Sequence, residues 1–548
     1  MSEESPTFRV RRWLESDDFR RLLRVARYVG REGGASVYAL DVTRIRANGF
    51  GVDDVLLILD EVGADYGPDL VDWLEKKLES RSQISVTLSY DGKMIYLRSS
   101  DRLGDIYTRY LRDILWYDRK YRAFVTWPYR YVNIVMALRR AGITNITDLT
   151  GLDKHVKAAE GVRDFEIRFT GELRDYQEEA LSRWLKNKNS GIIALPTGAG
   201  KTVVGAAAIA EVGVRTLIVA ATKEQVRQWR EKILQFTDAT SSMIGLYYSD
   251  EKRKAPITIT TYQSATRKLM EFVSDYPLLI IDEVHHLPAK TFRIIATGMP
   301  SPFRMGLSAT PEREDGEHER LFPLMGGIIY YISPATLAEK GYLAKYEIKT
   351  IKVELTPQEK KRYNELRRKY RAFAGSSTFE EVLEAVRRGD RRAREALRVH
   401  QEMIKIAQQS EAKVRKAIEI INEELEKGSK IIVFAQYVDL AKRIASEVGG
   451  FLLTGSTEPS RRKVILERFR RARSGVLVVT TVGDEGIDIP DASVGIIIAG
   501  TGSRRQFVQR LGRLLRPAPG KVARLYEIIS KGTTEEHQSR RRRQNKLI

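Results

Sequence analysis

Two short segments carry residues suited to phosphate chemistry. LPTGAGKT, Leu195 to Thr202, follows the apolar run GIIAL and precedes the helical stretch VVGAAAIAEV. A loop in that setting lays backbone N–H groups against phosphate. Gly198 and Gly200 permit the close approach among Pro196, Thr197 and Ala199, Lys201 neutralises the β and γ phosphates, and Thr202 is placed to ligate Mg²⁺. Leu195 stands where the general motif has its opening glycine. Further along, LLIIDEVHH ends an apolar run in two carboxylates. Asp282 at the carboxyl edge of a sheet suits the Mg²⁺ solvation shell, and Glu283 beside it suits polarising an attacking water. Either segment alone has a plain alternative, a Gly-rich turn or a solvated strand end. Together and in this order they point to hydrolysis of a nucleoside triphosphate.

Such groups need a sheet to hold them. From Leu173 onward, short apolar runs alternate with amphipathic stretches, the pattern of parallel sheets covered by helices. The runs are GIIAL (191–195), TLIVA (216–220), PITIT (256–260), PLLIID (277–282) and FRMGLS (303–308), too short for helices and rich in Ile, Leu and Val. A charged, mostly helical stretch from Thr356 to Leu425 follows. Then the pattern resumes with KIIVFAQ, GFLLTG, GVLVVT and VGIIIAG, so two separate α/β sheets are expected.

The first 170 residues read differently. DDFRRLLRVARYVGRE (17–32) and GPDLVDWLEKKLES (67–80) are helical candidates, and QISVTLSYDGKMIYLRS alternates around Asp91-Gly92 as a hairpin. The aromatic and basic stretch YLRDILWYDRKYRAFVTWPYRY, 110 to 131, either stacks bases or fills a core. The sequence leaves both open.

Of the 548 residues, 93 are Lys or Arg and 72 are Asp or Glu, a net charge of +21. That surplus fits a polyanionic partner or a heavily charged, heat-adapted surface. The absence of cysteine excludes disulfide scaffolds, thiolate zinc sites and iron–sulfur clusters, and six scattered histidines disfavour a metal-centred enzyme. MSEESPTFRVRRWLE lacks the apolar core of a secretory signal, and no apolar run reaches membrane-spanning length, so a soluble intracellular protein without membrane association is expected.

DEVH after a phosphate loop, followed by GLSAT (306–310), resembles the superfamily 2 helicases. That resemblance implies ATP with Mg²⁺, and it makes Ser308 and Thr310 the couplers of hydrolysis to domain movement. In ELRDYQEEAL it implies adenine recognition by Arg174 and Gln177, whose guanidinium and amide match an adenine edge; polar positions on an amphipathic helix are the alternative. In QRLGRLLRP it makes Arg513 and Arg516 the arginines that reach the γ-phosphoryl. In TTVGDEGIDIP it brings Gly486 and Asp488 to ATP and Thr480 to a nucleic-acid backbone. Further grips are Thr222 in AATKEQVRQW, where Ala221 replaces the usual proline, Thr261 and Gln263 in TTYQS, and Thr454 in LTGST. Loop-end threonines also serve as helix caps, and both readings stand.

LSATPEREDGEHERLFPLMGG narrows the resemblance, because Arg313-Glu314-Asp315 is similar to the RED motif of the XPB family, here of archaeal type. A surface ion-pair cluster is the alternative for that triplet. GTGSRRQFVQRLGRLLRP and the tail EIISKGTTEEHQSRRRRQ are similar as well, and the resemblance spans roughly residues 83 to 545. It implies an α/β fold of two RecA-like parallel-sheet lobes with a helical thumb and smaller α+β amino-terminal domains. The expected divisions are a mostly helical, winged-helix-like domain (1–82), a damage-recognition-like α+β domain (83–165), lobe 1 (166–345), a helical thumb-like insert (346–427) and lobe 2 with a basic tail (428–548).

The implied function is an ATP-dependent 3′-to-5′ DNA helicase or translocase, a DNA-dependent ATPase acting in nucleotide excision repair. The alternatives are a duplex-DNA translocase with weak unwinding, and a nucleic-acid-binding scaffold with little ATPase activity. Single-stranded, forked or duplex DNA is the expected partner, with an endonuclease as in archaeal relatives, a monomeric state and a cytoplasmic, nucleoid-associated location. The thumb and Arg540 to Arg543 then account for part of the positive surplus as backbone grip. The logarithm of DNA affinity is accordingly expected to fall with the logarithm of salt concentration. A nearly salt-independent affinity, measured by anisotropy titration, would assign the surplus to surface adaptation instead.

Overall fold

The apolar runs become strands of two parallel sheets. The computed structural model describes residues 5–48, 50–79, 84–310, 317–480, 492–498, 522–536 and 539, in two units, 1–156 and 157–548. In the second unit the first sheet has eight strands. Their spatial order is Glu251–Lys252, Ile244–Tyr248, Ile257–Thr261, Thr216–Ala220, Leu278–Asp282, Phe303–Ser308, Ser190–Ala194 and Ile328–Tyr331. All pairings are parallel except that of the short edge strand Glu251–Lys252. The central strands are buried along their whole length, which is why they read as continuous Ile, Leu and Val rather than as an alternation.

The second sheet is wholly parallel, in the order Lys345–Val353, Val522–Ser530, Val494–Ile497, Lys430–Phe434, Gly475–Val479 and Phe451–Leu453. Two findings redraw the interval 346–427. It opens with a nine-residue strand, whose alternating KYEIKTIKV suits a half-buried edge. It closes with the helix Glu411–Glu426, which packs Val414, Ala417, Ile420 and Ile421 against Ile431, Val433 and Tyr526 of the second sheet. Between them the helices Pro357–Ala374, Phe379–Arg387 and Arg391–Gln408 form a separate small bundle, with Tyr363 and Leu366 against Val399 and Met403. The carboxylate of Glu359 fixes its base: it accepts from Thr356 N (2.9 Å), Glu411 N (2.9 Å) and Ser410 Oγ (3.1 Å), so one side chain caps two helices.

The first unit holds two further sheets. Residues expected to form one helix from 17 to 32 instead form the helix Ser16–Leu22 and the strand Ala26–Glu32. The cause is the two-glycine turn Gly33-Gly34, both residues at positive φ, which returns the chain as Ala35–Leu40 with Glu32 opposite Ala35. The helix Pro68–Glu79 and the hairpin Val86–Tyr90 with Ile95–Ser99 lie where the sequence places them. The aromatic stretch divides: Tyr131 is buried, while Trp116, Tyr117, Tyr121 and Trp127 stay exposed.

Two ionic ties organise the second sheet's helical face. Lys413 is fully buried, with Nζ 2.8 and 2.9 Å from the two oxygens of Glu535, which also accepts from Ser530 N. Replacing Lys413 by Ala strands a buried carboxylate and is expected to lower stability by about 3–5 kcal/mol in urea unfolding. At the helix start Arg443 holds Glu411 through two hydrogen bonds of 2.7 and 2.9 Å and draws its carboxyl down to about 2. A carboxyl depressed in the folded state stabilises above its unfolded value and loses that contribution as pH falls toward about 2. The stability gap between wild type and Glu411→Gln is therefore expected to be constant near neutrality and to shrink below about pH 4.5, read by urea unfolding across that range.

Candidate nucleotide and nucleic-acid site

The phosphate loop leaves the strand Ser190–Ala194 and runs into the helix Lys201–Val212. Gly198 and Gly200 hold φ of +85° and +80°, conformations open to glycine, and Gly200 caps the helix from the left-handed region. Lys201 Nζ lies 3.5 Å from Leu195 O and 4.0 Å from Glu283 Oε1, both side chains largely enclosed. One cation and one acid thus face the loop together.

The neighbouring strands deliver the rest. Asp282 ends Leu278–Asp282 and Ser308 ends Phe303–Ser308, and Ser190–Ala194 lies directly beside the latter. Leu195 N donates to Ser308 O at 3.0 Å, tying the loop to the segment that carries the serine. Both oxygens of Asp282 are oriented, Oδ1 by Glu283 N and Oδ2 by the buried indole N–H of Trp229, each at 2.9 Å. Glu283 itself sits at φ +48°, ψ +52°. A non-glycine residue in that region carries strain, and such strain gathers at functional sites. Tyr262 braces it by donating to the carbonyls of Asp282 (2.9 Å) and Glu283 (3.1 Å); burial first, then the two carboxylates, raise its phenol well above the usual range, so it stays a donor.

His285 joins the acid to the serine. Its Nδ1 lies 3.3 Å from Glu283 Oε2 and 3.0 Å from Ser308 Oγ, and Ser308 Oγ accepts from Thr310 N at 3.1 Å. An imidazole, a hydroxyl and the following backbone are thus hydrogen-bonded in sequence, with the carboxylate lying beside the imidazole. The hydroxyl of Thr202 in the first helical turn and the carboxylate of Asp282 are hard oxygen donors, a donor set that fits Mg²⁺ held mainly by phosphate and water.

Gln177 and Arg174 stand beside the loop. Gln177 Nε2 and Tyr176 OH both donate to Ala199 O at 2.9 Å, and Gln177 Oε1 accepts from Arg174 N at 3.0 Å. The Arg174 guanidinium lies over the Tyr342 ring at 5.5 Å. Gln177 therefore holds the loop's backbone, and Arg174 leans on an aromatic face.

The threonines fall into two pairs. Thr222 and Thr261 follow or end the neighbouring strands Thr216–Ala220 and Ile257–Thr261, on the same carboxyl edge as Asp282. Each caps a helix, Thr222 accepting from Gln225 N and Thr261 from Ser264 N, while Gln263 is exposed. On the second sheet Thr454 and Thr480 follow the neighbouring strands Phe451–Leu453 and Gly475–Val479, and Thr480 N donates to Leu453 O at 3.1 Å. Arg313, Glu314, Asp315, Gly486, Asp488, Arg513, Arg516 and Arg540 to Arg543 lie outside the described residues.

Sequence reading passed over three residues the geometry brings in: Trp229, Tyr262 and His285. His285 was visible as the histidine two places after Glu283. Trp229 and Tyr262 lie far from Asp282 along the chain, and nothing in their own segments marks that contact.

Comparison with known proteins agrees on one group. The family described as type III restriction enzyme, res subunit, matches residues 170–313, and that described as ERCC3/RAD25/XPB C-terminal helicase matches residues 396–548. The chain is 43% identical over 406 residues to "DNA 3'-5' translocase XPB2" of Sulfurisphaera tokodaii, covering 72% of this chain and 90% of the relative. It is 31% identical to "Putative DNA 3'-5' helicase Rad25" of Haloarcula marismortui, over 89% of this chain and 72% of the relative. It is 28% identical to "General transcription and DNA repair factor IIH helicase/translocase subunit XPB" of Antonospora locustae, over 90% and 72%.

Ser308→Ala removes the hydroxyl shared by His285 and Thr310 N while keeping the strand. Nucleotide affinity is expected to stay within about twofold and hydrolysis to fall about tenfold, the pattern of a group used after binding. Titration with a fluorescent nucleotide and steady-state turnover separate the two.

Proposed function

We propose, from the premise that this chain belongs to the ERCC3/RAD25/XPB family of DNA helicases, that it is an ATP-driven 3′-to-5′ DNA helicase or translocase. The observation that carries this reading is the convergence of the phosphate loop, Asp282-Glu283 and Ser308 on three adjacent parallel strands, with Thr222 and Thr261 on the next two. A nucleotide at one end of that edge and a strand of nucleic acid at the other share the same rigid support.

In this reading the backbone of Leu195 to Gly200 cradles the phosphates, Lys201 neutralises them, and Glu283 orients the attacking water. Thr202 and Asp282 would hold Mg²⁺, which when bound supplies charge neutralisation at the phosphates. Arg513 and Arg516 act from the second lobe on the γ-phosphoryl, with Gly486 and Asp488 beside the nucleotide and Arg174 and Gln177 beside its base. Thr222, Thr261, Gln263, Thr454 and Thr480 grip backbone phosphate, and Arg313, Glu314 and Asp315 act at the fork. Ser308, linked through His285 to Glu283, reports the state of the acid to the segment that follows it, through Thr310. Closing the lobes on nucleotide and opening them after hydrolysis then advances the strand.

The setting proposed is DNA opening in nucleotide excision repair, and the name of the similar Antonospora locustae protein supports a DNA-repair setting. An endonuclease partner and action as a monomer belong to the same proposal. A translocase that unwinds little is the second reading, supported by the name of the Sulfurisphaera tokodaii relative. Triplex displacement without strand separation would favour it.

DNA is expected to stimulate ATP hydrolysis of the wild type, and Lys201→Ala and Glu283→Gln are each expected to lower that turnover at least a hundredfold, with Glu283→Gln retaining nucleotide binding. Unstimulated wild type, or full turnover in either variant, overturns the motor and leaves a binding scaffold.

A further inference from the structure

Trp229 lies where three elements of the site meet. It is 1% exposed, and it lies on the helix Lys223–Phe236 that Thr222 caps. Its indole N–H donates to Asp282 Oδ2 at 2.9 Å. Its ring also lies hard against the phosphate-loop helix, where a Cβ added at Gly205 would come within 2.5 Å of the six-membered ring. Three structures therefore meet at one indole: the helix capped at the proposed nucleic-acid grip, the carboxylate proposed for Mg²⁺, and the helix that begins at Lys201.

The chemistry of that contact is directional. An indole nitrogen donates and never accepts, so it needs an acceptor oxygen and fixes which oxygen of the carboxylate turns inward. Oδ1 is meanwhile held by Glu283 N at 2.9 Å. At about 1.5 Å of rise per residue, Trp229 lies roughly 10 Å along the helix from its cap, far less than the helix needs to bend. Tight packing on both sides lets a shift of the helix move the indole as a body.

We propose that Trp229 is a positioning residue that sets the orientation of the Asp282 carboxylate and carries to it the position of the helix capped by Thr222. Nucleic acid seated at that cap would thereby change how the carboxylate receives the cation. This rests on the proposed function for the seat at Thr222, whereas the orientation of Asp282 is independent of it.

The experiment uses the full chain and follows binding of a fluorescent ADP, with no turnover, as Mg²⁺ is titrated in the absence and presence of single-stranded DNA. Trp229→Phe keeps an aromatic ring and removes the N–H. Benzothienylalanine at position 229 replaces only the N–H by sulfur, and it preserves the test if the phenylalanine variant fails to fold. The Mg²⁺ concentration at half-saturation is expected to rise about tenfold in either variant, the usual scale for losing an outer partner of a ligand. Binding measured without Mg²⁺ should be unchanged, a separation that loosened packing would not produce. DNA is expected to shift the wild-type Mg²⁺ midpoint and to leave the variants' midpoint where it was. An unchanged midpoint in both variants overturns the orienting role, and a DNA shift of equal size in wild type and variants overturns the coupling. A wild type whose midpoint ignores DNA, with the variants still displaced, upholds the orienting role and overturns the coupling, while DNA affinity of Thr222→Ala against wild type, measured by anisotropy, decides the seat separately.

Discussion

The parallel register of three strands governs the rest of the site. Ala194 lies opposite Ser308, Leu307 opposite Asp282, and Leu195 N continues the ladder to Ser308 O. Side chains alternate along each strand, so a slip of one residue would move every side chain to the opposite face of the sheet and take Asp282 and Ser308 off the edge they share with the phosphate loop. The register is fixed by burial: Ile192, Ile193, Ile280, Ile281, Met305 and Leu307 are all within 1% of complete enclosure. Hydrophobic packing of the sheet thus sets the positions at which the polar groups emerge.

That dependence explains what the sequence made legible. FRMGLS and TLIVA form strands over the same residues that were read, and the runs at 191, 256, 277, 430, 450, 475 and 494 form strands displaced by no more than a few positions. Doubly buried parallel strands advertise themselves because every residue must be apolar. The edge strand Lys345–Val353 and its neighbour Val522–Ser530 were not separated from their charged surroundings. Lys345–Val353 is only half enclosed and alternates Lys with Tyr and Ile, so its composition matches an amphipathic surface as well as a strand. At 17–32 helix-forming arginines and leucines overruled the local evidence of Gly33-Gly34, and hairpin pairing with Ala35–Leu40 across that turn decided the outcome.

The motifs themselves were legible because their spacing is local, but the side chains that support them were not. Trp229 reaches Asp282 across 53 positions, Tyr262 reaches it across 20, and Lys413 finds Glu535 across 122. Each is a hydrogen bond between elements that only the folded sheet brings together. The same holds for Glu359, legible as half of a capping box with Thr356 and invisible as the cap of Glu411.

The strained turn at Glu283 shows how such supports are balanced. A residue held at φ +48° costs on the order of 1–3 kcal/mol. A buried hydrogen bond contributes about 1 kcal/mol net, and more where the partner is charged. Glu283 N bonds the Asp282 carboxylate, Tyr262 donates to the carbonyls on both sides of the turn, and the Glu283 side chain meets His285 and Lys201. These offsets are of the same size as the strain, so the left-handed conformation is held by the assembled site and has no local cause in the chain. Relaxing Glu283 into a right-handed turn would carry its carboxylate away from Lys201 and from His285. The strain therefore persists with a conformation that sets the acid beside both the lysine and the imidazole.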